Sequence, residues 1–299
     1  MQKLKIKMKT IFQTEFNDIP LFRRGKVRDV YDLNDKLLFV ATDRISAFDV
    51  IMNEPIPSKG AILTKISNFW FQNTKHIVNN HLISTNIEDY PDICKKYSDD
   101  LQNRSMLVSK SKPIMLECVV RGYVAGSGWK EYKKNGSICG IKIPNNLVEF
   151  QKLPEPIFTP STKAEIGHDE NIDFDNACKI VGKEIAEKIK QYSLDLYNFA
   201  YDYLYKKGII LADTKFEFGI NNNDEIILID EALTPDSSRF WLLSDYESGK
   251  EPVNFDKQIL RDYLEDINWN KKVPAPKLPA SIIEQTLAKY NYALELIVE

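Results

Sequence analysis

Residues 211–219 read LADTKFEFG, which sets Asp213, Lys215 and Glu217 on alternate positions. A segment of period two turns one face to a core and the other to whatever lies opposite. The second face here is acid, base, acid. Such a face is either solvated, with Lys215 neutralising its neighbours, or it is a site. A second strand-like stretch, EIILIDEA (225–232), follows Asn-Asn-Asn-Asp. A two-residue turn at Asn223 and Asp224 sets Glu217 opposite Asp230. Opposed residues stand about 4.5–5.5 Å apart at Cβ, and carboxylates that close repel unless a cation joins them. A hard divalent ion answers that need, and magnesium commonly takes one or two carboxylates plus phosphate oxygens. The pairing depends on register, since a slip of one residue removes it.

Five further clusters carry polar chemistry. DEALTPDSSRFW (230–241) runs from the second strand into Asp236, Ser237, Ser238 and Arg239. Pro-Asp-Ser-Ser is turn chemistry, and Arg239 can grip a phosphate with two parallel bonds. RRGKVRDVY (23–31) sets Lys26 and Arg28 on one strand face after Gly25, where a backbone without Cβ admits a close approach. It is no Walker A loop, and a basic strand face is more often plain surface. VVRGYVAGSGW (119–129) places Arg121 at a strand end before Gly126-Ser127-Gly128, which is either an anion nest or a turn. TPSTKAEIGHDEN (159–171) holds Lys163 and His168 in a polar stretch that reads equally as an exposed connector. Lys59-Gly60 precedes a helical pattern, and that start either receives an anion or is a plain helix beginning.

The elements that must position these residues follow from pattern. VRDVYDL (27–33) and KLLFVAT (36–42) flank Asn34-Asp35 as a hairpin. Residues 61–80 have helical apolar spacing, 105–111 and 113–126 read as strands, and 84–104 as a polar loop. Residues 135–162 read as ordered loop or short strands. A long helix spans Asp173 to Lys207 with a break near Tyr192-Ser193, Asp173 as N-cap and Gly208 as stop. Residues 280–297 read as an amphipathic helix. Strands first and helices later give an α+β fold in two lobes, and a cleft between lobes is a common place for a ligand.

Bulk numbers bound the class. The chain has 299 residues, 43% hydrophobic and 28% charged, with net charge −3. No basic excess argues for nucleic acid, and no apolar window is long enough for a membrane span. The basic start MQKLKIKMKTIF lacks the apolar core of a signal peptide. Four cysteines without a C-x-x-C pair read as reduced thiols of a cytoplasmic protein. Three histidines, with His76 and His81 five apart, argue against a histidine-built zinc site.

Taken together, GKVRDVY, ATDRISAFD, IPSKGAILTKIS, LECVVRGYVAGSGW, STKAEIGHDEN, ADTKFEFG and DEALTPDSSRFW closely resemble the SAICAR synthetases. These segments run from residue 25 to 241, and the last three are the most specific. One departure is Met115, at a position where the family often has proline. The resemblance implies an antiparallel β-rich N-terminal lobe (1–112) over a larger α+β lobe (113–299), similar to protein kinases and ATP-grasp enzymes. It implies joining of a carboxylated aminoimidazole ribotide to L-aspartate with ATP and Mg2+, through an acyl phosphate. By the same resemblance, Glu217 and Asp230 hold the metal, and Gly25, Lys26 and Arg28 lie over the ATP phosphates. Lys112 to Met115 form the hinge beside adenine. Arg121, Ser127 and Arg239 bind the ribotide phosphate, and Asp213 and Lys215 contact the imidazole or the transferring group. Lys163 and Asp236 are further substrate contacts. The rival readings are a kinase-like phosphotransferase and a non-catalytic nucleotide sensor. The oligomeric state stays open.

Overall fold

The computed structural model describes residues 9–163, 169–252, 255 and 257–299. They form two compact units, one from Met1–Asn68, Leu82–Lys110 and Asp256–Glu299, the other from Phe69–His81 and Ser111–Phe255.

In the first unit, β1 (Leu21–Arg24), β2 (Arg28–Leu33) and β3 (Lys36–Ala41) pair in turn, antiparallel. Asn34-Asp35 makes the expected two-residue turn, with Leu33 opposite Lys36 and Asn34 at φ 67°. Next come β4 (Ser46–Ala47), β5 (Val50–Ile51) and α1 (Lys59–Asn73). After β6 (Leu82–Ser84), the stretch expected to be a plain loop holds a 3-10 turn (Ile87–Asp89), α2 (Asp92–Lys95) and α3 (Ser98–Leu101). Cys94 and Leu101 explain the difference. Both are buried in the cluster of Tyr31, Leu38, Val40 and Leu107, which winds the segment onto the sheet. With β7 (Ser105–Ser109) the sheet order is β1-β2-β3-β7-β6.

The helix start at Lys59-Gly60 does meet an anion, and it is the protein's own. The buried Asp43 carboxylate accepts from Gly60 N–H at 3.0 Å and Ile11 N–H at 2.8 Å, and pairs with Arg104 at 3.0 Å. Removing one member of a buried ion pair strands the other, so Asp43→Ala should cost about 3–5 kcal/mol in urea unfolding. A loss below about 1 kcal/mol would show that the network is not what holds α1.

Asp29 adds a pH dependence. Burial pushes its carboxyl up, but Arg44 and the Thr14 donors outweigh burial, and the net position is below the usual range. A depressed folded pKa contributes stability that is full above the unfolded value, near 3.9, and is lost as pH falls through the folded one. Acid titration followed by circular dichroism should therefore show stability falling below about pH 4, with Asp29→Asn flattening that limb.

The second unit is built on one long strand. Its elements are β8 (Lys112–Pro113), β9 (Leu116–Tyr123), α4 (Gly126–Asn135), β10 (Ser137–Ile138), β11 (Ile141–Lys142), β12 (Lys152–Phe158) and β13 (Ser161–Thr162). Then follow α5 (Phe174–Val181), α6 (Lys183–Tyr205), β14 (Ile209–Ile220), β15 (Ile226–Ile229), β16 (Ser238–Leu242) and α7 (Leu243–Glu247). β14 pairs antiparallel with β9, β8, β15 and β16. Asp173 caps α5, accepting from Asn176 N–H at 2.7 Å. The helix break lies at Gly182, not near Tyr192: Gly182 has φ 88°, open to a residue without Cβ. At the expected break, Ser193 bonds back to the Ile189 carbonyl at 2.6 Å and the helix continues.

The hairpin register differs from expectation. Glu217 faces Ile229, not Asp230. The turn has three residues: Asp224 N–H bonds to the Asn221 carbonyl at 3.1 Å, Asp224 takes φ 59°, and Asn221 N–H bonds to the Glu225 carbonyl at 3.0 Å. A type I turn closed by a left-handed residue is the usual three-residue hairpin loop. The Asn221 side chain stabilises it, accepting from Asn223 and Glu225 N–H at 2.9 Å each.

The chain ends with α8 (Gln258–Asp266) and α9 (Ala280–Val298), which belong to the first unit. A single division after residue 112 therefore does not describe the molecule. The C-terminal stretch is tied to residues near the start of α1. Leu278 N–H donates to Glu54 at 3.0 Å, and the Lys59 ammonium lies 5.5 Å over the Tyr290 ring. Among the described residues, no helix is long and apolar enough to cross a membrane. All four cysteines are unpaired.

Candidate active site

β14 answers the question posed by its alternation. Phe216 and Phe218 are fully buried, and Phe218 meets Tyr192 of α6 with ring centroids 6.3 Å apart. Asp213, Lys215 and Glu217 occupy the other face, where the neighbouring strands also present charge.

At one end, three strands form a single rung. Asp213 is the register partner of Arg121 on β9 and of Arg239 on β16. Its carboxylate pairs with both guanidinium groups, with Arg121 at 3.4 Å. Arg121 is almost fully buried; its Nε donates to Thr159 Oγ1 at 3.0 Å and its Nη2 to Ser127 Oγ at 2.9 Å. Ser127 lies in the first turn of α4, whose cap residue Ala125 offers no side-chain bond to the helix N–H groups. Gly126 has φ 57°, and a Cβ there would come within 2.2 Å of the Arg239 guanidinium, so only glycine lets that backbone lie against the cation. Two guanidinium groups beside an uncapped helix start are suited to a phosphate.

At the other end, Lys215 donates to Glu217 at 2.5 Å and to Glu117 at 2.9 Å. Burial alone would lower its pKa, but Glu217, Glu117 and Asp230 outweigh burial and keep it charged. Burial also pushes the Glu217 carboxyl up, yet Lys215 and Lys163 carry it down to about 2. Glu117 goes the other way: burial raises it and Lys215 offsets only part. Lys163 reaches Glu217 from the end of β13. Asp230 takes φ 69° beyond β15, and its charge acts on Lys215 although it is not opposed to Glu217. The turn expected in Pro-Asp-Ser-Ser forms, with Ser237 N–H bonded to the Thr234 carbonyl at 3.0 Å and Asp236 half-buried within it.

β14 thus gathers Arg121, Ser127, Asp213 and Arg239 in one group, and Lys163, Lys215, Glu217 and Asp230 in another. Lys112 lies at the far end of β14, and Met115 directly precedes β9. Lys112 pairs with Ile220, and Met115 is exposed. Gly25, Lys26 and Arg28 belong to the first unit. Lys26 lies in the bend before β2, not on a strand face, and pairs with Asp49; Arg28 opens β2. His168 and the centre of STKAEIGHDEN lie outside the described residues. Glu117 and Thr159 were missed by the sequence reading. Glu117 carried a signal, since it shares the odd-numbered face of β9 with Arg121. Thr159 carried none.

Residues 21–276 match the family model described as SAICAR synthetase. The chain belongs to the SAICAR synthetase family. A phosphoribosylaminoimidazole-succinocarboxamide synthase from Geobacter metallireducens is 58% identical over 285 residues, 95% of this chain and 96% of that one. Its counterpart from Desulfosudis oleivorans is 56% identical over 289 residues, 96% of this chain and 98% of the other. Among solved structures, the SAICAR synthase from Saccharomyces cerevisiae complexed with SAICAR superposes with TM-score 0.88 at 48% identity, covering 96% of this chain and 98% of its own. A SAICAR synthetase in complex with ADP gives TM-score 0.67 at 27% identity, covering 92% and 97%. Family and α+β fold are those the motifs implied. The activity is the ATP-dependent ligase step that makes SAICAR in de novo purine biosynthesis.

Proposed function

We propose that the charged face of β14 carries out this ligation, with a carboxylated aminoimidazole ribotide and L-aspartate as the joined substrates. A carboxylate is a poor acyl donor because oxide is a poor leaving group. Its oxygen attacks the γ-phosphorus of ATP, the bond to ADP breaks, and an acyl phosphate forms. The aspartate amine then attacks the carbonyl carbon, loses a proton, and displaces phosphate as the amide forms. The phosphoryl step needs charge neutralisation and alignment more than covalent help.

Arg121, Ser127 and Arg239 hold the ribotide 5′-phosphate, supported by the rung through Asp213. Lys215, kept cationic among three carboxylates, neutralises the transferring phosphoryl group, and Asp213 orients the two guanidinium groups. Lys163 and Asp236 contact substrate. Gly25, Lys26 and Arg28 cover the ATP phosphates, and the Lys112–Met115 backbone borders adenine. Among the described residues no three His, Cys, Asp or Glu side chains form a ready metal cage. Magnesium needs only one or two protein carboxylates when phosphate supplies the rest. Glu217 and Asp230, hard oxygen donors that both act on Lys215, fit that requirement. When bound, the ion would offset charge on the phosphate oxygens. Buried unpaired thiols suit a reducing compartment, and we place the enzyme in the cytoplasm.

The observation that carries this reading is one strand face bearing a guanidinium pair at one end and an ammonium among carboxylates at the other. The test is ATP turnover with the carboxylated ribotide, with and without L-aspartate. Amide formation and sustained ADP release should need both. Sustained ADP release that needs only an acceptor hydroxyl would replace the ligase by a kinase.

A further inference from the structure

The motif ATDRISAFD has no role in the chemistry above, yet it is bonded to the bend that has one. Arg44 is almost fully buried. Its Nη2 donates to the Gly25 carbonyl at 3.0 Å, its Nε to the Lys26 carbonyl at 3.0 Å and its Nη1 to the Phe12 carbonyl at 2.7 Å. Nη2 also pairs with Asp29 at 2.7 Å, which fixes the plane of the fork. Two residues earlier, Thr42 donates to the Val27 carbonyl twice, from N–H at 3.0 Å and from Oγ1 at 2.8 Å. Three successive carbonyls, those of Gly25, Lys26 and Val27, are thus held by one short segment.

A peptide plane sets its N–H opposite its C=O. With the Gly25 and Lys26 carbonyls drawn inward, the N–H groups of Lys26 and Val27 are turned outward. Successive outward N–H groups make a concavity for an anion. We infer that Arg44, assisted by Thr42, is a positioning residue that pre-forms the Gly25–Arg28 bend for the phosphates of ATP. The inference rests on the reading that this bend covers those phosphates. It goes beyond it by naming what shapes the bend. Lysine keeps the charge beside Asp29, but a single ammonium does not reproduce a planar fork that bonds three carbonyls and a carboxylate.

The test is steady-state kinetics of the full-length enzyme bearing Arg44→Lys or Thr42→Val, with Lys26→Ala as reference and thermal melts alongside. Arg44→Lys should raise the KM for ATP about tenfold and Thr42→Val about threefold, with the KM for the ribotide moving less than about twofold. A merely structural role lowers Tm and the active fraction but leaves the KM for ATP where it was, and that result overturns the inference. If Arg44→Lys does not fold, Thr42→Val decides alone, and an unchanged KM for ATP overturns it equally. If Lys26→Ala raises the KM for ATP while neither other variant does, only the inference fails. If Lys26→Ala has no effect on it, the phosphate-covering role fails and the inference with it.

Discussion

Glu217→Gln is expected to lower turnover by about a thousandfold or more while the protein melts within a few degrees of the parent. The carboxylate is buried and paired with both Lys215 and Lys163. Glutamine keeps its shape and removes its charge. Two ammonium groups then face the site with less to oppose them, and a cation held there would meet a neutral amide oxygen in place of an anionic one. Lys215 retains Glu117 at 2.9 Å, so the strand pair should survive. Turnover under saturating magnesium and ATP, read beside a thermal melt, separates these effects. Near-normal turnover would remove Glu217 from the chemistry.

Arg239→Ala should act differently. It should raise the KM for the ribotide about a hundredfold, the loss of one charged two-bond contact, with kcat and the KM for ATP much less affected. Asp213 keeps Arg121 as a partner, so the rung is thinned and not left with an unpaired buried acid. Alanine also opens the space against Gly126 that the guanidinium fills. An unchanged ribotide KM would free Arg239 from phosphate recognition and leave it as the neutraliser of Asp213.

Local chemistry made parts of this molecule readable from its letters. Asn34-Asp35, the Asp173 cap and the alternation along β14 each depend on residues a few positions apart, and each came out as expected. The hairpin register did not. The Asn221 side chain substitutes for backbone in the loop and adds one residue to it, which alternation alone does not reveal. The helix break misled because Ser193 can either disrupt a helix or bond back within it. Arg44 and Asp43 were opaque for another reason. Their partners lie far along the chain, and burial turns an ordinary polar motif into a network. The return of α9 to the first unit is equally non-local. The charged site was legible as residue types, while its division into two groups needed the strand pairing.

β14 carries both groups on one uninterrupted backbone. From Asp213 to Glu217 is four residues, about 13 Å at strand rise. That length works as a gauge. A substrate able to engage both ends must match it, and no register shift lies between Asp213 and Glu217 through which the strand could adjust. Adding or deleting one residue between those ends would invert one group into the hydrophobic interior, whereas the 221–225 loop has room to vary. The tolerance for length change should therefore switch abruptly at residue 221.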